Sequence, residues 1–357
     1  MRRLRIGVIG TGTIAYGSHL PAIAQLRDEL ELVAVADVRE DVVQHVAQRF
    51  GAQSWYTDYH DLLARPDIDL VDVCTPEFLH REQVVAAAQA GKHIHCEKPM
   101  ASSVEEADAM IAAARAAGVK LMIGHSRRFT RRYQLIREAI ERGEVGEVRL
   151  VRENERRAYP RTPRPDSVGH WNPEGDRSWL AKAGYTLGAA LTNAVHETDL
   201  ARWFAGQDAA SVYAAEHIND PESEVPDFIT YTITFRNGAV GACEVVNTLP
   251  VGYPYYHMME VFGTEGMIRA TDPSMSTLEV WTAGQMAFPL NPRTFLGVAD
   301  AYVQELAGFA RAVREDTPVP LDPWNGRQAL AISVAAVESS RTGRPVSLPE
   351  EVAPITA

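Results

Sequence analysis

The sequence of 357 residues predicts two domains: an α/β domain with a parallel sheet, followed by an α+β domain with a large, mostly antiparallel open sheet. Three observations carry that reading. Short apolar runs alternate with helical patterns through the first third of the chain, which is the signature of a parallel sheet covered on both faces. After Gly124 the pattern changes to strands joined by turns. The apolar fraction of 46% beside 23% charged residues is that of packed globular domains. The expected division is 1–124 and 125–357, with the option that the late helices pack back on the first domain.

In chain order, residues 6–9, 32–36, 71–74, 94–96 and 121–123 read as the strands of the first domain. Amphipathic stretches at 42–50, 82–90 and 104–117 lie between them. Gly51, Gly91 and Gly118 stand where helix C-caps belong. Residues 133–142 read as one more helix and 148–153 as a strand. A loop rich in Pro, Arg and Gly spans 159–184, and 187–204 is helical. Strands are then expected at 211–215, 228–235, 239–248, 258–262 and 278–282, with Asn237-Gly238 as a hairpin turn. Residues 302–314 and 326–342 read as closing helices.

The formal net charge of −12 disfavours general binding to nucleic acid or anionic membranes. No apolar run is long enough to span a bilayer. The three cysteines, Cys74, Cys96 and Cys243, make neither a disulfide framework nor a zinc site, so a reducing cytoplasm is expected and no metal.

The chemistry-bearing motifs sit at strand ends. Gly10-Thr11-Gly12-Thr13-Ile14-Ala15 directly follows a predicted strand and opens a helical segment. The first glycine permits a tight turn, the second lets a pyrophosphate approach the backbone, and small Ala15 allows close helix–strand packing. This is the fingerprint of a dinucleotide-binding Rossmann domain, which assigns Gly10, Gly12, Thr13 and Ile14 to the cofactor. Asp37 ends the second strand about 20 residues on, where an acid binds the adenosine ribose hydroxyls and repels a 2′-phosphate. NAD is therefore expected over NADP, although Arg39 is placed either to stack on adenine or to answer a phosphate. Glu97-Lys98-Pro99 follows the fourth strand at its ligand-facing end. Lys98 there can exchange a proton with a substrate oxygen; the alternative is a surface ion pair.

Taken together, these residues resemble the Gfo/Idh/MocA oxidoreductases, named for glucose-fructose oxidoreductase and inositol dehydrogenase. The likeness spans essentially the whole chain. It includes the glycine fingerprint, Thr75-Pro76 with His80, Glu97-Lys98-Pro99, residues 124–129, the segment Val195-His196-Glu197-Thr198-Asp199-Leu200-Ala201-Arg202-Trp203, and Gly343-Arg344-Pro345-Val346. The resemblance implies hydride transfer between nicotinamide and a carbinol or carbonyl carbon of a sugar, inositol or sugar-derived substrate. It implies Lys98 and His196 as catalytic residues, and Thr75, Pro76, His80, Glu97 and Lys98 beside the cofactor. Many relatives carry Asp four residues before the histidine, where this chain has Thr192, followed by Asn193. They often carry Asn where Glu77 stands.

One helical turn places Thr192 and His196 on one face, so Thr192 and Asn193 are candidate substrate ligands. Arg157, Tyr159 and Trp179 join them from the arginine-rich loop. The clusters Arg127, Arg128, Arg131, Arg132 and Arg156, Arg157, Arg161, Arg164 suit an anionic substrate if they point inward. Two other functions stay open: an NAD-dependent glycosidase or lyase with transient oxidation and no net redox, and a dinucleotide-binding regulator without catalysis. A homodimer or homotetramer through the open sheet is expected, because a large sheet face needs covering.

Overall fold

The computed structural model describes residues 2–157, 183–184, 186–188, 192–221, 223–249, 255–272, 277–282, 285–287 and 298–350. Its first sheet has six parallel strands: β1 (Leu4–Ile9), β2 (Leu30–Ala36), β3 (Ser54–Tyr56), β4 (Leu70–Val73), β5 (His93–Glu97) and β6 (Leu121–Gly124). Their spatial order is β3-β2-β1-β4-β5-β6, the order of a doubly wound dinucleotide-binding sheet. Residues of β1, β2 and β4 are almost all buried, as strands covered on both faces must be. A π-helical turn (Ala15–His19) and α1 (Leu20–Gln25) follow β1. The remaining helices of this part are α2 (Glu40–Phe50), α3 (Tyr59–Leu63), α4 (Glu77–Gln89) and α5 (Val104–Ala117). Gly51 and Gly118 close α2 and α5 in the left-handed conformation.

A 3-10 turn (Ser126–Phe129) and α6 (Arg131–Glu141) lead into the second sheet. Its strands are β7 (Val148–Arg156), β8 (Ala209–His217), β9 (Phe228–Phe235), β10 (Val240–Val246), β11 (Tyr256–Gly263), β12 (Gly266–Asp272), β13 (Thr277–Thr282), β14 (Gln285–Ala287) and β15 (Val346–Ser347). They lie in the order β14-β13-β12-β11-β7-β10-β9-β8-β15. Among these strands β7 and β10 pair in parallel, and every other pair is antiparallel. One face of this sheet packs on α7 (Ala194–Ala205) and α9 (Pro323–Thr342), with Ile229, Tyr231, Ile233 and Phe235 pointing inward. The opposite face of β9 exposes Thr230, Thr232 and Thr234, the alternation of a half-solvated strand. Of the late helices, α8 (Val298–Glu315) packs back on the first domain at α1 and the 3-10 turn, and α9 also touches α5 and β6.

One helix boundary and the set of strands need correction. The helix read as 187–204 begins at Ala194 among the described residues, because Gly188 takes φ +84° and stops helical backbone before it. The predicted strands do not include β3, β12, β14 or β15. β3 has only three residues, and β12 opens on Gly266 and carries Arg269 within it, which hides its alternation. Among the described residues, no helix is long and apolar enough to cross a membrane.

Candidate active site

The glycine turn is pressed against the end of β4. Gly10 has φ +86°, and a Cβ there would lie 2.9 Å from the Cys74 backbone, so only glycine fits. Gly12 differs: a Cβ on it would meet nothing within 4 Å, which leaves open space above the turn for a pyrophosphate. Tyr16 N–H donates to the Gly12 carbonyl at 2.9 Å and starts the helix that points at this space. Thr13 and Ile14 lie on that turn. Asp37 stands just beyond β2. Its Oδ2 accepts from Thr11 N at 2.9 Å and Thr11 Oγ1 at 3.0 Å, and its Oδ1 accepts from Arg39 N at 3.1 Å. The carboxylate is thus fixed beside the turn, with Arg39 Nε 3.4 Å away. These groups fit a dinucleotide with free ribose hydroxyls.

Thr75 and Pro76 continue the same edge of the sheet, and Pro76 caps α4. His80, fully buried on α4, holds this edge together. Its Nε2 lies 2.8 Å from the Thr75 carbonyl and its Nδ1 2.9 Å from the Pro99 carbonyl. His80 therefore faces backbone with both ring nitrogens, and it bears on a cofactor through Thr75 and the Lys98–Pro99 bend. Glu97 likewise points inward. Its Oε1 lies 2.8 Å from His19 Nε2, and its Oε2 accepts the Lys98 backbone N–H at 3.0 Å. The alternative of a surface ion pair at Glu97-Lys98 is excluded by this burial.

Lys98 turns the other way. Its Nζ donates to the Thr192 carbonyl at 2.9 Å, bridging 94 positions of sequence. Burial lowers the Lys98 ammonium from its ordinary range, while Glu97 and Glu77 raise it and Arg157 and Arg127 lower it further. Thr192 donates its hydroxyl to the Gly188 carbonyl at 2.9 Å, so its link to Lys98 runs through backbone. Asn193 precedes α7, and its carbonyl accepts from His196 N–H at 3.0 Å. His196 is nearly buried, and its Nδ1 has no hydrogen-bond partner among the described residues. Burial holds its imidazole well below the usual value, with Arg127, Lys98 and His125 adding to the effect, so it is neutral at working pH.

The rest of α7 is anchored residue by residue. Glu197 Oε1 accepts from Arg127 Nη1 at 2.5 Å, and Thr198 Oγ1 lies 2.8 Å from Tyr231 Oη. Asp199 accepts a two-pronged pair of hydrogen bonds from Arg128 at 2.6 and 2.8 Å. Arg202 donates to Asp208 at 2.6 Å and Asn325 at 2.7 Å. The 3-10 turn after β6 therefore fixes α7 through two arginines. The basic cluster is thus largely paired with carboxylates: Arg127 pairs with Glu155 and Glu197, Arg128 with Asp199, and Arg131 with Glu138. Arg156 pairs with Glu244, and Arg157 with Glu155 while its guanidinium lies over the Tyr255 ring. Tyr159 and Trp179, with Arg161 and Arg164, lie outside the described residues.

Two residues that the motifs did not single out line the same region. His125 sits with its ring 6.3 Å from His196, edge to face, and 3.7 Å from Asp199. Its burial lowers its pKa. Glu77 is buried at the start of α4, and burial raises its carboxyl above the ordinary range. Its only sequence signal was the departure from Asn.

Two groups have metal-ligand composition. In His19, Asp72 and His95 the ring nitrogens and carboxylate oxygens bond one another directly. In Glu153, Glu197 and His257 a cation is already present, since Arg127 Nη1 lies 2.5 Å from Glu197 Oε1 and 3.4 Å from His257 Nε2. Burial pushes Glu197 up to about 8, against the pull of Arg127.

Comparison with known proteins agrees with this geometry. Residues 4–125 match the model of an oxidoreductase family with an NAD-binding Rossmann fold, and residues 137–348 match the C-terminal alpha/beta domain of the same family. The chain is 30% identical to a myo-inositol 2-dehydrogenase of Thermotoga maritima, over 98% of this chain and 100% of that protein. It is 29% identical to a scyllo-inositol 2-dehydrogenase (NAD(+)) of Bacillus subtilis, over 97% of this chain and 96% of the relative. A solved levoglucosan dehydrogenase in complex with NADH superposes with a TM-score of 0.87 at 27% identity, covering 98% of this chain and all of the other.

Proposed function

This chain belongs to the Gfo/Idh/MocA oxidoreductase family, and on that premise we propose that it is an NAD(H)-dependent dehydrogenase or reductase acting on a CH–OH carbon of a neutral polyol, inositol or sugar. The observation that carries the reading is the hydrogen bond of Lys98 Nζ to the Thr192 carbonyl at 2.9 Å. It brings the lysine at the end of β5 into one cleft with the start of the helix bearing His196. Clefts between domains are where substrates are held against a cofactor. The relatives named for inositol and levoglucosan oxidation support the substrate class.

Gly10 and Gly12 would hold the dinucleotide, which would supply the hydride acceptor or donor. Lys98 exchanges the proton of the reacting oxygen, and its charge lowers the cost of a developing alkoxide. His196, neutral and beside it, orients the same hydroxyl or takes the proton onward. Thr192 and Asn193 border the substrate, and His80 and Glu97 set the bend that carries Lys98. The inositols and levoglucosan for which the relatives are named are uncharged, which favours an uncharged substrate over a sugar acid. The division at 124/125, a homodimer or homotetramer through the second sheet, and a cytoplasmic location compatible with three free buried cysteines complete the proposal.

A panel of polyols, inositols and sugars, followed by NADH absorbance and product mass together, tests it. Stoichiometric NADH with a product two hydrogens lighter is the expected result. Bond cleavage without NADH would instead establish the elimination chemistry.

Two expected outcomes refine the site. Titration by calorimetry should show NAD(H) bound at least about tenfold more tightly than NADP(H), because Asp37 repels a 2′-phosphate. Equal affinity would transfer the adenosine end to Arg39. For an anionic substrate, Arg157→Ala should raise KM a few-fold, roughly 1 kcal/mol of uniform binding, and leave kcat nearly intact. An unchanged KM would mean that Arg157 serves only Glu155 and Tyr255.

A further inference from the structure

A buried chain of hydrogen bonds runs from the helix after the glycine turn to Lys98, and its members His19, Asp72 and His95 have no part in the proposed function. His19 ends the π-helical turn that begins at Ala15. Its Nδ1 lies 2.8 Å from Asp72 Oδ2 and its Nε2 2.8 Å from Glu97 Oε1, with all three side chains at most 4% exposed. An imidazole held between two carboxylates must donate from both nitrogens, so His19 is an imidazolium. The other oxygen of Glu97 accepts the Lys98 N–H at 3.0 Å. Asp72 is held in turn by His95 Nδ1 at 2.7 Å.

The chain is sealed on its far side. The Tyr302 ring lies 4.9 Å from His19, and Glu305 Oε1 lies 3.8 Å from His95 Nε2. Both belong to α8, so the His19 ring is enclosed by protein and passes a displacement on to its partners. The charges close as well. His19 and His95, the latter raised to about 9 by Asp72 against its burial, offset Asp72 and Glu97. Burial raises the Glu305 carboxyl, against the pull of His95.

We infer that His19 and Glu97 are positioning residues that couple occupancy of the glycine turn to the placement and protonation of Lys98. The turn moves His19, His19 moves the Glu97 carboxylate, and Glu97 carries both the Lys98 backbone and the negative charge nearest its ammonium. The other charged groups facing Lys98 are Glu77 from α4, Arg127 from the 3-10 turn and Arg157 after β7. None of these belongs to the glycine turn. The inference rests on the assignment of Lys98 to the reacting oxygen.

The sign of the effect is fixed. Glu97 raises the Lys98 pKa, so neutralising it must lower that pKa. The test uses the full chain with Glu97→Gln, His19→Gln and, as reference, Lys98→Met. Acylation of the Lys98 amine by a small reagent is followed across pH by peptide mass spectrometry, which requires no substrate. Glu97→Gln should move the labelling midpoint down by about half a pH unit or more. The rising limb of the pH profile of oxidation should move down with it, with a much smaller change in KM for NAD+. His19→Gln should also move the midpoint, because it removes the cation that holds the Glu97 carboxylate.

In the wild-type chain, ADP, which reaches the glycine turn but not Lys98, should change the labelling midpoint. That measurement decides the matter even if a variant fails to fold. An unmoved midpoint with ADP, or in both Gln variants, overturns the coupling. If Lys98→Met is inactive while the Gln variants behave as wild type, the coupling alone fails. If Lys98→Met turns over normally, the site assignment itself fails.

Discussion

Lys98→Met is expected to reduce turnover on the true substrate by on the order of 10³-fold, while the fold and most of the NAD affinity survive. Methionine keeps the length of the stem and removes both the charge and the exchangeable proton. Among the described residues the substitution removes a single hydrogen bond of the side chain, the one to the Thr192 carbonyl, so the stability change should be small. The loss should fall on kcat and kcat/KM together, as for an interaction made only in the transition state. Lys98→Arg separates the two roles of the residue. It retains a cation beside the reacting oxygen but cannot give up its proton at any accessible pH. Oxidation of the alcohol should then remain severely impaired, because a charged group cannot act as the acceptor. Burial lowers the wild-type Lys98 pKa, so the fraction of neutral amine, and with it the oxidation rate, should rise with pH through that lowered value. Lys98→Arg should abolish this limb. A melting temperature near that of the wild type, with undiminished NAD binding, shows that chemistry and not folding was lost. Near-normal turnover by Lys98→Met would mean that the reacting oxygen lies elsewhere.

The first sheet was legible because its long strands are short, mostly apolar runs that alternate with amphipathic helical stretches, and the glycine turn adds a local rule about backbone approach. Gly10 illustrates why that signal is strong: no other residue fits both its φ and its packing on Cys74. The meeting of Lys98 with the helix of His196 was legible only through the family resemblance, since nothing local relates positions 94 apart. What stayed hidden follows from burial. Glu97 reads as a charged loop residue, yet its carboxylate faces inward because His19, far away in sequence, arrives there as a cation. The paired arginines read as a basic patch, because their partners Glu155, Glu197 and Asp199 sit on other elements. His125 gave no signal, as one histidine in a junction segment has no pattern to belong to. The false start of the helix at 187 came from apolar composition, which does not register that Gly188 adopts a left-handed φ.

His196→Ala is expected to lower kcat by about 10²-fold or more, with a smaller change in KM, if the imidazole handles the substrate proton. Its environment suits that role. Burial, with Arg127, Lys98 and His125 around it, keeps the ring neutral, so a lone pair is available throughout the working range. The double variant with Lys98→Met should be little worse than Lys98→Met alone, because two groups that move one proton do not contribute additively. Fully additive losses would show that His196 acts independently, as a binder of another hydroxyl. Thr192→Asp probes the same point from the opposite direction. The Thr192 hydroxyl donates to the Gly188 carbonyl at 2.9 Å, a hydrogen bond that a carboxylate cannot replace without repulsion. An aspartate there must therefore turn away from Gly188, toward Lys98 and His196 at the start of the helix. A carboxylate within a few ångströms raises the pKa of an imidazole and of an ammonium. The pH profile of oxidation should accordingly shift upward in Thr192→Asp, and the shift should vanish in Thr192→Asn, which has the same shape without the charge. A profile unmoved by Thr192→Asp would place residue 192 outside the electrostatic reach of the proton-transfer groups, and would leave the backbone carbonyl as its whole contribution.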